Sequence, residues 1–173
     1  MLNRTESTFV FLTLALTACP QGSEAPPPEA PDPIGPQLRE TEGIWTQEEC
    51  ATSRLYRDGR QVQHQCFDSQ GDFSWENRGT LSSAAAETLD MALANADLTA
   101  DEPVNYEGGC SAADSQGQIT IWVDEQQLSL EPDCVFEGIV DLYAQIQAIG
   151  FELSSCAEPF AQLDSVEPGC RSY

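Results

Sequence analysis

The sequence predicts an α+β fold: an antiparallel sheet from two hairpins, with two helices packed on it in the order ββα–ββα. Three observations carry this. Strand-like arms flank Asp58-Gly59 and are followed by a stretch of helical period. The same order recurs from Gln118 to Ile149, and six cysteines spread over residues 44–173 suit a small disulfide-stabilised domain.

In the first unit, "SRLYRDGRQVQHQCF" (53–67) supplies the hairpin and "SAAAETLDMALANAD" (83–97) the helix. Ser82 or Ser83 serves as N-cap, and Leu89, Leu93 and Ala96 mark the buried face. In the second unit, "QITIWV" alternates Ile119, Ile121 and Val123, turns near Asp124-Glu125 and returns through Leu128 and Leu130. Val135, Ile139, Leu142, Ile146 and Ile149 then recur at helical spacing, predicting a helix over 134–149 with Gly150 as terminator. The two units barely align residue by residue.

The N-terminal quarter has another character. Residues 1–18 read as a signal peptide: Arg4 gives a weak positive region and Phe9–Leu16 an apolar core too short to span a bilayer. Leu16-Thr17-Ala18-Cys19 resembles the lipobox of bacterial lipoproteins. That resemblance implies cleavage before Cys19 and its modification by diacylglycerol and an N-acyl chain such as palmitate. Two or three chains anchor a protein durably where one does not. Pro20, rather than Asp, follows Cys19, which favours the outer membrane over the inner one. Residues 20–43 contain seven prolines (20, 26, 27, 28, 31, 33, 36) and read as an extended tether. The expected domain therefore covers residues 44–173.

The chain carries 29 acidic residues and 7 basic ones, all arginine. Six of the acids and two of the arginines precede Ile44, so the expected domain keeps a net charge of −18. Such a surface repels phosphates and excludes nucleic acid as a partner. Arg54, Arg57, Arg60 and Arg78 form the one local basic excess. They are candidate partner contacts, set against edge protection and internal pairing with nearby acids.

Seven cysteines become six once Cys19 is assigned to the lipid, an even set able to pair completely. Metal-type Cys-x-x-Cys spacing is absent, so Cys50, Cys66, Cys110, Cys134, Cys156 and Cys170 read as disulfides formed after export. Fifteen pairings are open. Cys50 and Cys66 flank Asp58 symmetrically; a three-residue turn with Gly59 left-handed sets them opposite, a two-residue Asp58-Gly59 turn diagonally. Cys110–Cys134 and Cys156–Cys170 complete the nearest-neighbour set.

No catalytic, metal or cofactor constellation emerges. His64, the single histidine, lies among Gln61, Gln63 and Gln65 and reads as a solvated strand residue. The acid pairs Glu48-Glu49, Asp101-Glu102 and Asp124-Glu125 are expected by chance in so acidic a chain, although a carboxylate pair can serve glycoside hydrolysis. "DSQGD" (68–72) lacks the ligand spacing of a calcium loop, and Gly108-Gly109 lacks the helix start and lysine of a phosphate loop.

Between Arg54 and Ile149 the order of features resembles the emfourin type of proteinaceous protease inhibitor. The residues concerned are "GTLSSAAAETLDMALANADL" (79–98), the Ala113-Asp114 step into "ITIWV", and the closing amphipathic helix. The resemblance implies inhibition of thermolysin-like metalloproteases; the six cysteines, the anchor and the tether depart from it, and no inhibitory residue carries over. The sequence thus predicts a lipid-anchored envelope protein with a non-catalytic binding domain for an envelope or secreted protein. A protease inhibitor is the alternative, with an enzyme using acidic residues third.

Overall fold

Alternation of buried and exposed side chains sets the strands, and the computed structural model describes residues 27–43, 50–99, 103–105, 117–131 and 134–172. In chain order they form β1 (Gln37–Glu42), β2 (Thr52–Asp58), β3 (Gln61–Phe67), β4 (Phe73–Leu81) and α1 (Ser83–Asn95). There follow β5 (Pro103–Asn105), β6 (Gln118–Val123), β7 (Gln126–Leu130), β8 (Cys134–Phe136), a 3₁₀ turn (Glu137–Ile139), α2 (Val140–Ser155) and β9 (Leu163–Val166). The fold is α+β, as the sequence predicts. Its sheet, however, is one seven-stranded surface ordered β7-β6-β1-β2-β3-β4-β9, with every neighbouring pair antiparallel. Strands β5 and β8 pair separately.

This differs from two ββα units because strand β1 joins them. It pairs with β2 on one edge and with β6 on the other. Residues 37–42 were expected to belong to the tether, since seven prolines nearby dominate the composition. They alternate Leu, Arg, Glu, Thr and Glu without proline, and both ladders are available to them. The domain boundary at residue 44 is therefore corrected: the folded chain extends upstream of β1.

It extends through a strap. Ile34 N donates to Gln63 Oε1 (3.0 Å), Gln63 Nε2 to Asp32 O (3.4 Å), and Gln65 Nε2 to Pro31 O (2.7 Å). Arg57 N donates to Pro36 O at 3.1 Å. Gln63 and Gln65 point away from the helices, because Val62, His64 and Cys66 alternate with them and His64's strand neighbour Asn77 bonds to α2. The proline-rich segment thus crosses the outer face of the sheet and leaves both glutamines buried. Gly35 permits the approach: a Cβ there would lie 2.2 Å from the Arg57 carbonyl oxygen.

The opposite face carries the core. Leu55, Val62, Leu81, Ile119 and Ile121 of the sheet meet Leu89 of α1 and Leu142, Ile146, Ile149 and Leu153 of α2. Each such side chain contributes about 1.5–3 kcal/mol when fully buried. Helix α1 starts as predicted, with Ser82 Oγ accepting from Ala85 N at 3.1 Å. Helix α2 starts later than predicted, because Cys134–Phe136 pair with β5 before the chain turns. It also runs past Gly150 to Cys156, whose left-handed conformation (φ 52°) ends it. Gly150 is a packing residue, since a Cβ would lie 2.8 Å from Arg39 Nη2.

Both hairpins form. Asp58 pairs with Gln61 around Gly59-Arg60, one residue beyond either turn considered from sequence, and Val123 pairs with Gln126 around Asp124-Glu125. Cys50 and Cys66 are bridged, with a Cα separation of 5.0 Å, although Cys66 pairs in the ladder with Ser53. The bridge therefore staples the incoming chain to β3 instead of joining paired positions. Cys156–Cys170 is bridged as well, at 5.9 Å. For the third pair, Cys110 lies outside the described residues, as do Cys19 and the signal peptide.

The strap yields a sharp expectation. Gly35→Ala, silent in a free tether, should destabilise the domain by about 1–3 kcal/mol because the clash is with backbone. A fragment starting at Ile44 should likewise lose the cooperative thermal transition that a fragment starting at Pro27 retains. Calorimetry on the three proteins checks both, and equal melting temperatures would reject the strap.

Candidate functional site

The four arginines singled out from sequence do not form one patch. Arg54 and Arg78 project from the outer face, to Glu40 (2.5 Å) and Glu76 (3.1 Å). Arg57 faces the helices, bonding Asp90 of α1 at 2.7 Å and the Gly59 carbonyl at 2.6 Å. Arg60, in the hairpin turn, bonds the Leu81 carbonyl at 2.7 Å and pairs with Asp164 of β9. Burial pulls the Arg54 guanidinium down, but the Glu40 carboxylate outweighs this and holds it above its ordinary value. Arg54 also stacks on the Phe67 ring at 4.6 Å. Arg54, Arg57 and Arg60 each tie two segments of the fold together, whereas Arg78 pairs within its own strand β4.

The buried polar residues lie elsewhere. Arg39, Thr41, Ser53, His64 and Asn77 are buried on successive central strands, on the face that α2 covers. Arg39 Nη1 donates to Gln147 Oε1 at 2.6 Å, and Gln147 Nε2 to the Tyr143 hydroxyl at 2.8 Å. Asn77 Nδ2 donates to the carbonyls of Leu153 and Arg171, both at 2.8 Å, and its Oδ1 accepts from Arg171 N. The C-terminal segment is thus held beside the Cys156–Cys170 bridge. Sequence reasoning missed Arg39 because it was counted with the tether.

His64 reverses the sequence expectation: it is fully buried, with its ring edge-on to Trp75 at 5.5 Å between centroids. Trp75 packs in turn on the Cys50–Cys66 bridge. The alternation of β3 would place His64 inward with Val62 and Cys66, which is the signal that the surrounding glutamines obscured. Burial, and secondarily the charge of Arg39, lower its pKa from 6.5 to about 3.

Acidic groups from the sequence reading are spread apart. Asp124-Glu125 form an exposed turn, whereas Glu48-Glu49, Asp101-Glu102, Gly108-Gly109 and Ala113-Asp114 lie outside the described residues. Asp68 Oδ1 accepts from Gln70 N and Asp72 N, so "DSQGD" closes on its own backbone. Glu152 accepts from the backbone N–H groups of Ala161, Gln162 and Leu163 at 2.7–3.0 Å, fixing the segment before β9. Among the described residues, no group of three or more His, Cys, Asp or Glu is placed to hold a metal ion.

A groove of about 480 Å³ lies between α1 and the start of α2. Ala92 and Leu142 are its apolar floor, Met91 its lip, and Glu137, Asp141 and Gln145 its polar wall. Met91 and Phe151, 59% and 72% exposed, are the exposed large apolar side chains of the described residues, and both sit on the helices. No described helix is long and apolar enough to cross a membrane. Comparison of the chain with protein-family models, curated proteins and solved structures found no match.

The state of His64 gives a pH dependence of known sign. The folded protein keeps the imidazole neutral, while the unfolded chain protonates it below pH ~6.5. Its stabilising contribution is complete above that pH and declines as pH falls toward about 3, by up to ~1.4 kcal/mol per pH unit. Denaturant titrations between pH 4 and 7 should show this slope in the wild type and its absence in His64→Gln. Identical slopes would contradict the assignment.

Proposed function

We propose that the chain is an exported, lipid-anchored protein of the bacterial cell envelope whose domain acts as a non-catalytic binding module for another envelope or secreted protein. The observation that carries this reading is the division of the cysteines. Cys50–Cys66 and Cys156–Cys170 are closed as disulfides, bonds that persist in oxidising compartments such as the periplasm. Cys19 stands apart from them at the end of an apolar leader. Pro20 after Cys19 supports the outer membrane as the destination. The acidic surface excludes nucleic acid as the partner, and no cofactor enters the reading.

A protease inhibitor is the second reading, and one geometric fact favours it. Strand β1 runs antiparallel to both β2 and β6, so the turns Gly59-Arg60 and Asp124-Glu125 emerge at the same end of the sheet. Two neighbouring exposed turns form a wedge of the kind that can enter a cleft. The disulfides and leader suit this reading equally, so the two are separated by assay.

In the native host, Cys19→Ser should move the protein from the detergent phase to the aqueous phase while its thermal transition stays unchanged. Intact mass of the wild-type mature chain without acyl groups would overturn the anchor. For the second reading, shortening either turn should weaken inhibition of a sensitive metalloprotease or serine protease without unfolding the sheet. A panel of secreted proteases unaffected by micromolar intact protein removes that reading.

A further inference from the structure

We propose that the groove between α1 and α2 docks a cationic amphipathic segment of a partner protein, an arginine or lysine flanked by an apolar side chain. This rests on the binding-module reading and names its site and ligand chemistry. Its volume, about 480 Å³, lies within the range of ligand pockets. The depression exists because Gly138 and Ala92 place almost no side chain where the two helices approach.

The chemistry of the wall selects the ligand. Glu137 and Asp141 line the groove, and neither has a cationic partner among the described residues. Gln145 Oε1 is buried in the same wall and has no donor among the described residues. Both carboxylates lie near the start of α2, where the helix dipole favours negative charge. Two exposed carboxylates on one wall call for a donor-rich cation.

Charge distribution points the same way. Helices α1 and α2 carry Glu87, Asp90, Asp141 and Glu152 and no basic residue, whereas the described arginines sit on the strands, in the hairpin turn and near the C-terminus. Arg57 reaches up from β2 to Asp90, but the described ion pairs place no arginine on Glu137 or Asp141, so a cation approaching the groove meets attraction. Met91, flexible and exposed at the lip, with Leu142 and Ala92 below, accepts an apolar neighbour of the cation. This apolar lip favours a peptide segment over a small polyamine.

The test uses the full-length mature protein in non-ionic detergent and a short fluorescent peptide alternating arginine and leucine. Anisotropy should report saturable binding that weakens as salt rises. Glu137→Gln combined with Asp141→Asn should weaken it by about fivefold to tenfold, and Met91→Ser should weaken it separately. Glu167→Gln, remote from the groove, should leave it unchanged. Equal loss in Glu167→Gln, equal binding of an arginine–serine peptide, or equal competition by spermidine would overturn the proposal as general attraction to an anionic surface. Cross-linking to envelope proteins separates the two levels of inference. A partner captured equally by wild type and by the double variant overturns the groove while sustaining the binding module. A partner lost in the double variant supports both. No partner and no peptide binding overturns both.

Discussion

Strand β1 is the constraint on which the rest of the fold depends. Without its two ladders, the β6–β7 hairpin and the β2–β3–β4–β9 meander would be separate sheets, the first of them too small to be stable alone. Its side chains then dictate how the helices lie. Arg39 projects beneath α2, and Gly150 is the point at which that helix can pass over a guanidinium. Taking a charge into the interior is costly unless it is hydrogen-bonded, and Gln147 one turn earlier supplies an acceptor. One strand thus fixes sheet continuity, helix seating and the charge environment of His64.

Much of this was legible because local rules acted alone. Both hairpins, the Ser82 cap and the apolar stripe of α1 depend on neighbours in sequence. The α2 stripe was read correctly too, but its bounds were not, since a ladder to β5 claims residues 134–136 and a contact with Arg39 explains Gly150. Strand β1 was hidden by composition: six residues without proline, bordered by a proline-rich run, carry a weak signal until two strands flank them. His64 was misread because its glutamine neighbours look solvated. They are buried by the strap, a long-range contact that no window of sequence displays.

The candidate site was less legible than the fold. Clustering of Arg54, Arg57, Arg60 and Arg78 in sequence suggested one basic patch, yet strand alternation and a turn send them to different faces. Each meets a carboxylate, as a chain with so many acids makes easy. What is left over is negative charge, spread over the strap, turns and loops as well as the helices. The groove draws residues from two helices, α1 and the beginning of α2, so it has no linear signature.

The strap has a mechanical consequence for the whole molecule. From Pro36, near the hairpin turns, it descends the outer face and reaches Gln65 on β3, nearer the other end of the sheet. The strap itself therefore lies on the side opposite the helices, and its Pro31 end is away from both turns. Between Cys19 and Pro31 the backbone can span at most ~40 Å. An acylated Cys19 would then act as a short leash attached at the back of the domain. Pull on such a leash would load the strap and β3, the strand that also receives the Cys50–Cys66 bridge, before it reached the helix layer. With Cys19 acylated as proposed, the surface with the groove would face away from the bilayer.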